Sequence, residues 1–239
     1  MKAARSQRTM QYPTRWDEFA YGDWAKKYLQ TCIDDWLPKL FGFHMLKLGG
    51  LSCELDSTMS NIPHQVSVDK CNASRNIEAE NNALPFISKA FDVCIIANQL
   101  DYTDDPHRLL REIDRVLIDD GHLIITGVNP CSLMGVGRVF PWRKNTLPWS
   151  GRMFSPSRVH DWLGLLNYEI IDSCCVGLLP SHKNRWYFNW LETSCCAVLP
   201  FIGSLYFIVA CKRTYPLNPI HPVWKIKKGL APVHGLSCC

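Results

Sequence analysis

Residues 84–128 read LPFISKAFDVCIIANQLDYTDDPHRLLREIDRVLIDDGHLIITGV. The order is a loop, an apolar strand, a loop, one amphipathic helix and a second apolar strand. Two parallel strands need a connection long enough to carry the chain back across one face of the sheet, and this stretch has that form. Val93 to Ala97 is a continuous apolar run, as expected of a strand covered on both faces. Asp104-Asp105-Pro106 opens the helix, with carboxylates at its positive end and proline in its first turn. Leu109, Leu110, Ile113, Val116 and Leu117 form its apolar stripe. Asp119-Asp120-Gly121 is expected to end it, and His122 to Val128 to be the next strand. The fold class that follows is α/β, a Rossmann-like doubly wound sheet with mostly parallel strands.

Outward from this core, Asp23 to Leu40 has a helical period, with Trp24, Tyr28, Cys32, Trp36 and Leu40 at i, i+4 spacing and Ile33 and Leu37 widening the stripe. Asp23 is the expected N-cap and Gly42 the residue that follows the end. Phe43 to Leu48, Gln65 to Asp69 and a short Ile77 to Glu80 read as strands; so do Tyr168 to Asp172 and Ser204 to Cys211. Ser157 to Leu166 reads as a helix with Val159, Trp162, Leu163 and Leu166 inward. The expected division is residues 1–22 as an N-terminal extension, 23–213 as the domain, with the helix from Asp23 as an N-terminal helical extension of the fold, and 214–239 as an irregular basic tail rich in proline and lysine.

A chain of 239 residues can bury one sizeable core, and an apolar content of 47% with 20% charged residues is that of a soluble globular protein. The net charge of +4 is too small to point to nucleic acid as a partner. The twelve cysteines include no CxxC, and adjacent pairs such as Cys174-Cys175 suit tetrahedral ligation poorly, so no metal site is expected. With no apolar leader at the start, a cytoplasmic setting with reduced thiols is expected. Cys195 to Cys211 is nearly uncharged, but it is short for a bilayer span and broken by Pro200 and Gly203, so stable membrane insertion is not expected.

Several pieces in order carry a resemblance: Leu84-Pro85-Phe86, Phe91-Asp92-Val93, Leu100, Arg111 to Leu117, and Gly121 before the next strand. They resemble the second half of a class I S-adenosylmethionine (SAM) methyltransferase of the type 11 branch. Over most of residues 16–213, including Gly42-Phe43-His44 and Asp161-Trp162-Leu163, the chain is similar to a small bacterial group within it, the YafS-like proteins. The resemblance implies SAM as cofactor, held beyond the carboxyl ends of the strands. Gly49 and Gly50 stand in the first loop, where the family lets the backbone approach the ligand; a tight strand-to-helix turn is the plainer reading of the pair. Leu51 and Cys53 occupy the places of two further family glycines, and Lys47 that of an acidic residue. Asp69 stands where the family's carboxylate meets the ribose hydroxyls, unless it only pairs with Lys70. Glu80, four residues before Leu84, matches the acidic residue beside the adenine amino group, or is an exposed loop carboxylate. Only fourteen residues separate Asp69 from Leu84, so the second helix must be abbreviated.

Asn98 and Gln99 end the fourth strand, where cofactor and acceptor would meet. Asp101 and Tyr102 follow as candidate catalytic residues, able to orient a nucleophile or take its proton; a solvated loop position is the other reading of Asp101. His107 on the first helical turn reads as an exposed residue rather than a base. The long segment after Val128 carries Arg138, Trp142, Arg143, Lys144, Trp149 and Arg152, either a binding loop for an anionic or aromatic substrate or a basic surface loop. Three functions are therefore expected in order: methyl transfer to a small molecule, a methyltransferase-shaped binding or regulatory protein that has lost SAM, and a peripheral membrane protein. The sequence does not specify an oligomeric state.

Overall fold

The computed structural model describes residues 12–19, 21–69, 77–79, 83–137, 146–177 and 203–214. Its strands are β1 (His44–Leu48), β2 (His64–Asp69), β3 (Ile77–Glu78), β4 (Phe91–Ala97), β5 (Leu117–Val128), β6 (Tyr168–Val176) and β7 (Leu205–Lys212). The helices are α1 (Gly22–Trp36), α2 (Gly50–Cys53), α3 (Gln99–Tyr102), α4 (Pro106–Val116), α5 (Leu133–Val136) and α6 (Pro156–Leu165). One sheet holds all seven strands in the order β3-β2-β1-β4-β5-β7-β6. The first five pair in parallel, while β7 runs antiparallel to both β5 and β6. This is the doubly wound, mostly parallel architecture that the crossover at 84–128 predicts.

Alternation along the strands sorts the apolar residues into two cores. Cys94 and Ile96 of β4 join Leu46, Leu48, Leu123, Ile125 and the inner faces of α4 and α6. Val93, Ile95 and Ala97 join Met45, Ile124, Phe207 and α1 on the other face. A central strand buried on both sides has to be apolar, and β4 is so from Val93 to Ala97. Trp16 and Phe19, ahead of the expected domain start at 23, belong to the α1-side core.

The α4 stripe of Leu109, Leu110, Ile113 and Val116 is buried, and Asp105 caps the helix by accepting from the Arg108 amide at 3.1 Å. Glu112 accepts from the Leu84 amide while Arg115 donates to the Phe86 and Leu84 carbonyls, so the helix grips the loop before β4. The hydrogen-bonded Arg115 guanidinium holds the Glu112 carboxyl below the usual carboxylate range.

Three expectations are corrected. Of the expected stripe of α1 and the turn after it, Ile33, Leu37 and Leu40 are buried, but Trp24, Tyr28, Cys32 and Trp36 are only half-buried, and Ala25 and Leu29 take the inward places beside them. Tyr21, not Asp23, is its N-cap, and Gly42 does not close it: a 3-10 turn, Leu37–Lys39, follows the helix. Gly42 instead permits close approach, because a Cβ there would lie 2.4 Å from the Asp92 side chain that binds the Phe43 and His44 amides. Finally, α4 ends at Val116, and Asp119-Asp120-Gly121 lies inside β5 as a bulge. There the register with β4 jumps from Phe91↔Leu117 to Val93↔His122, and Asp120 takes a φ of 60°. Beyond these, 195–202 and the tail from 215 lie outside the described residues; Leu205 onward is strand, and no helix among the described residues is long and apolar enough to cross a membrane.

Candidate functional site

Beyond the carboxyl end of β1 the chain turns at Gly49, whose φ of 88° is open only to glycine without strain. Its amide donates to the Val68 carbonyl at 2.8 Å, which ties the loop to the end of β2. A Cβ on Gly49 would stand 2.2 Å from Gln99 Oε1, so the structure brings this loop and the loop after β4 into contact. A Cβ on Gly50 would meet the Thr14 carbonyl at 2.5 Å, because the N-terminal segment lies across the turn. Leu51 buries its side chain in the α1-side core, and its carbonyl accepts from Trp16 Nε1. Cys53 Sγ rests against the Lys47 and Val68 carbonyls. Lys47 is buried and donates to the Leu55 carbonyl at 2.8 Å; burial pushes its ammonium below the ordinary lysine range. Its charge is thus engaged by the backbone of the loop that it starts.

Sequence reasoning missed Ser52. Its hydroxyl donates to the Leu48 carbonyl at 2.6 Å and accepts from the Ala97 amide at 2.7 Å, joining the tips of β1 and β4. The only signal was a small hydroxyl residue in the first turn after the glycines. A Ser52→Ala variant leaves a buried amide unpaired, and the expected loss of stability is about 1–3 kcal/mol in denaturant titration. An unchanged midpoint would show that this bridge is dispensable.

Asp69 ends β2 and is 5% exposed, and its Oδ2 has no hydrogen-bond partner among the described residues. A buried carboxylate oxygen without a donor is costly, and a ligand hydroxyl would relieve it. Asn98, fully buried in the left-handed region at a φ of 53°, accepts from Thr126 Oγ1 through Oδ1, while its Nδ2 has no described partner. Such strain in a non-glycine residue is typical of sites. Asp101 and Tyr102 are placed beside them but are buried in the wall. Asp101 Oδ2 accepts from the Val128 amide, and the Tyr102 hydroxyl donates to the Pro148 carbonyl. Burial, and then the neighbouring Asp101 charge, push the Tyr102 phenol up, so it stays protonated. His107 packs its ring against Trp162 at 4.4 Å. Glu80, Lys70, Arg138, Trp142, Arg143 and Lys144 lie outside the described residues. Among the described residues no group of three or more metal-ligating side chains comes together.

A family model described as a methyltransferase domain matches residues 51–125. The uncharacterized protein YafS of Escherichia coli (strain K12) is 41% identical over 222 residues, covering 92% of this chain and 90% of that protein. Among solved structures, a SAM-dependent methyltransferase of Thermotoga maritima, described as a possible histamine N-methyltransferase, superposes with a TM-score of 0.56 at 16% identity. It covers 80% of this chain and 92% of its own. The [4+2]-cyclase SpnF does so with a TM-score of 0.56 at 15% identity, covering 89% of each chain. A SAM-dependent methyltransferase of Mesorhizobium loti gives 0.53 at 15% identity, over 76% of this chain and 96% of its own.

Proposed function

We propose, since the chain belongs to the YafS-like group in the type 11 branch of the class I SAM-dependent methyltransferases, that it transfers the SAM methyl group to a small-molecule acceptor in the cytoplasm. The observation that carries this reading is Asp69, a buried carboxylate with an unpartnered oxygen, on the strand next to the glycine turn. The unpartnered oxygen of Asp69 fits a ribose hydroxyl of the cofactor. Asp69 would accept from the ribose hydroxyls, Gly49 and Gly50 would offer backbone to the amino-acid portion, and Glu80 would accept from the adenine amino group. Bound SAM supplies an electrophilic methyl, so the chain's own task is to place a nucleophile in line and to exclude water.

Asn98 and Gln99, buried at the end of β4, would border the reacting end. Asp101 and Tyr102 are assigned as positioning residues: the first fixes the end of β5, and the second fixes the segment around Pro148. The rival expectation, a protein of this shape without SAM, rests on the altered glycine loop. Leu51 packs into the α1-side core and Lys47 bonds the Leu55 carbonyl, so both alterations have an occupation within the protein.

Isothermal titration with SAM tests the reading. Micromolar affinity is expected, weakened about tenfold or more in Asp69→Ala, which equals about 1.4 kcal/mol or more. Absence of binding by the folded wild-type chain at about 1 mM ligand, a −4.1 kcal/mol threshold, would overturn it.

A further inference from the structure

We propose that Cys32 and Cys174 form an exchange-active thiol pair, which a low-molecular-weight disulfide converts into a cross-link fastening α1 to β6; this does not depend on the methyl-transfer reading. β6 is the outermost strand of the sheet, beyond β7, and its α1-side face packs on the same core as α1. Near the end of α1, Trp36 Nε1 donates to Asp172 Oδ2 at 2.9 Å. Near its start, Trp24 packs just past the far end of β6, where a Cβ on Gly177 would lie 2.4 Å from the indole. Between these two contacts stand Cys32, one helical turn before Trp36, and Cys174, two residues beyond Asp172 on the same strand face. One turn of helix advances about 6 Å over four residues and two strand residues advance about 6.6 Å, so the two thiols come level. The Cys32 thiol donates a hydrogen bond to the Cys174 sulfur.

That contact gives the two thiols unequal tasks. The hydrogen bond from Cys32, opposed by burial and the nearby Asp172 charge, draws the Cys174 thiol below the ordinary cysteine range. Cys32 itself is held above that range, first by the same bond and then by burial. The thiolate is the attacking species in thiol–disulfide exchange. Cys174 therefore attacks one sulfur of the reagent disulfide, whose S–S bond breaks and releases one reagent thiol, leaving a mixed disulfide on Cys174. The bond that held the Cys32 proton is thereby lost, and Cys32 attacks the Cys174 sulfur and expels the second reagent thiol. The protein sulfurs lose two electrons to the reagent, and the proton of each protein thiol ends on a reagent thiol. Both cysteines are half-buried rather than enclosed, so a small reagent reaches the pair. Cys94 and Cys211 are buried, with thiols pushed up by that burial, and Cys53 rests on two carbonyls, which sets the pair apart from them. α1 follows the segment that lies across the glycine turn, so a link at Cys32 would also anchor that cover. In a reducing compartment the link would be transient.

The folded full chain is exchanged with an excess of oxidised glutathione, quenched with acid and mapped by mass spectrometry. A Cys32–Cys174 disulfide that reductant removes is expected. The linked chain should melt about 5 °C or more above the reduced one, because the link closes a long loop of the unfolded chain. In Cys32→Ser the reaction should stop at a glutathione adduct on Cys174. In Cys174→Ser, Cys32 should be modified about tenfold more slowly than Cys174 is in Cys32→Ser. The proposal is overturned if the folded wild-type chain forms no such link, or joins Cys32 or Cys174 to other cysteines instead. A linked chain that melts no higher than the reduced one, or equal modification rates in the two serine variants, overturns it as well. Should either serine variant not fold, mapping and melting of the wild-type chain decide alone.

Discussion

Replacing Gly49 with alanine is expected to lower stability by about 2–4 kcal/mol and to abolish measurable SAM binding. Two costs combine. The φ of 88° with ψ of 151° is a conformation that an L-residue adopts only under strain, whatever space surrounds it. The new methyl would also stand 2.2 Å from Gln99 Oε1 and 2.8 Å from Gln99 Cδ. The amide end of glutamine can rotate away, but Gln99 is buried at the start of α3, so its displacement disturbs the loop that Asn98 begins. A Gly49→Ala/Gln99→Ala double variant separates the terms: it removes the clash and keeps the backbone strain. Denaturant midpoints should then show partial recovery, with SAM affinity still impaired. Full recovery in the double variant would mean that the backbone is not strained. A wild-type midpoint in Gly49→Ala alone would refute the tight turn altogether.

The fold was legible where local chemistry and long-range pairing agree. The uninterrupted apolar run of β4 and the strong amphipathic period of α4, opened by Asp105-Pro106, leave one arrangement for residues 91–128. The end of α4 was misplaced because Asp119-Asp120-Gly121 has the composition of a helix stop, whereas Leu117 already pairs with Phe91 and the polar residues form a bulge. In α1 the large aromatic residues drew the stripe onto Trp24, Tyr28 and Cys32. Burial instead follows the smaller Ala25, which fits close packing against the sheet, with the indoles at the flank. Pairing of β7 with β5 joins residues about ninety apart, such as His122 and Cys211, and no local pattern reports that. The site divides similarly. Asp69 and Gly49 are singled out through the family resemblance, by their places at the end of β2 and just after β1. Ser52 is not, since its role depends on the Ala97 amide of a strand forty-five residues later.

Trp16 should prove as important to the site as the glycine turn, although it lies in a segment whose sequence shows no period. The side chain is 1% exposed, packs on Phe19 at 5.7 Å, and donates from Nε1 to the Leu51 carbonyl at 3.1 Å. Its amide donates to Glu54 at 3.1 Å, and Phe19 meets the Tyr102 ring edge-on at 6.1 Å. The segment therefore grips both loops that would enclose a cofactor, the one after β1 and the one after β4. Trp16→Ala removes a large buried ring, and the expected loss is about 3–5 kcal/mol, a substantial part of the 5–15 kcal/mol that holds a typical domain together. For a chain of this size that is a fall in melting temperature of about 6–20 °C. Trp16→Phe keeps most of the apolar contact and loses only the bond to Leu51, so about 1 kcal/mol is expected. If the segment only fills space, the two variants should differ in stability alone. If it holds the loops, Trp16→Phe should weaken SAM binding severalfold while melting close to wild type, and equal affinity in that variant would reduce Trp16 to a core residue.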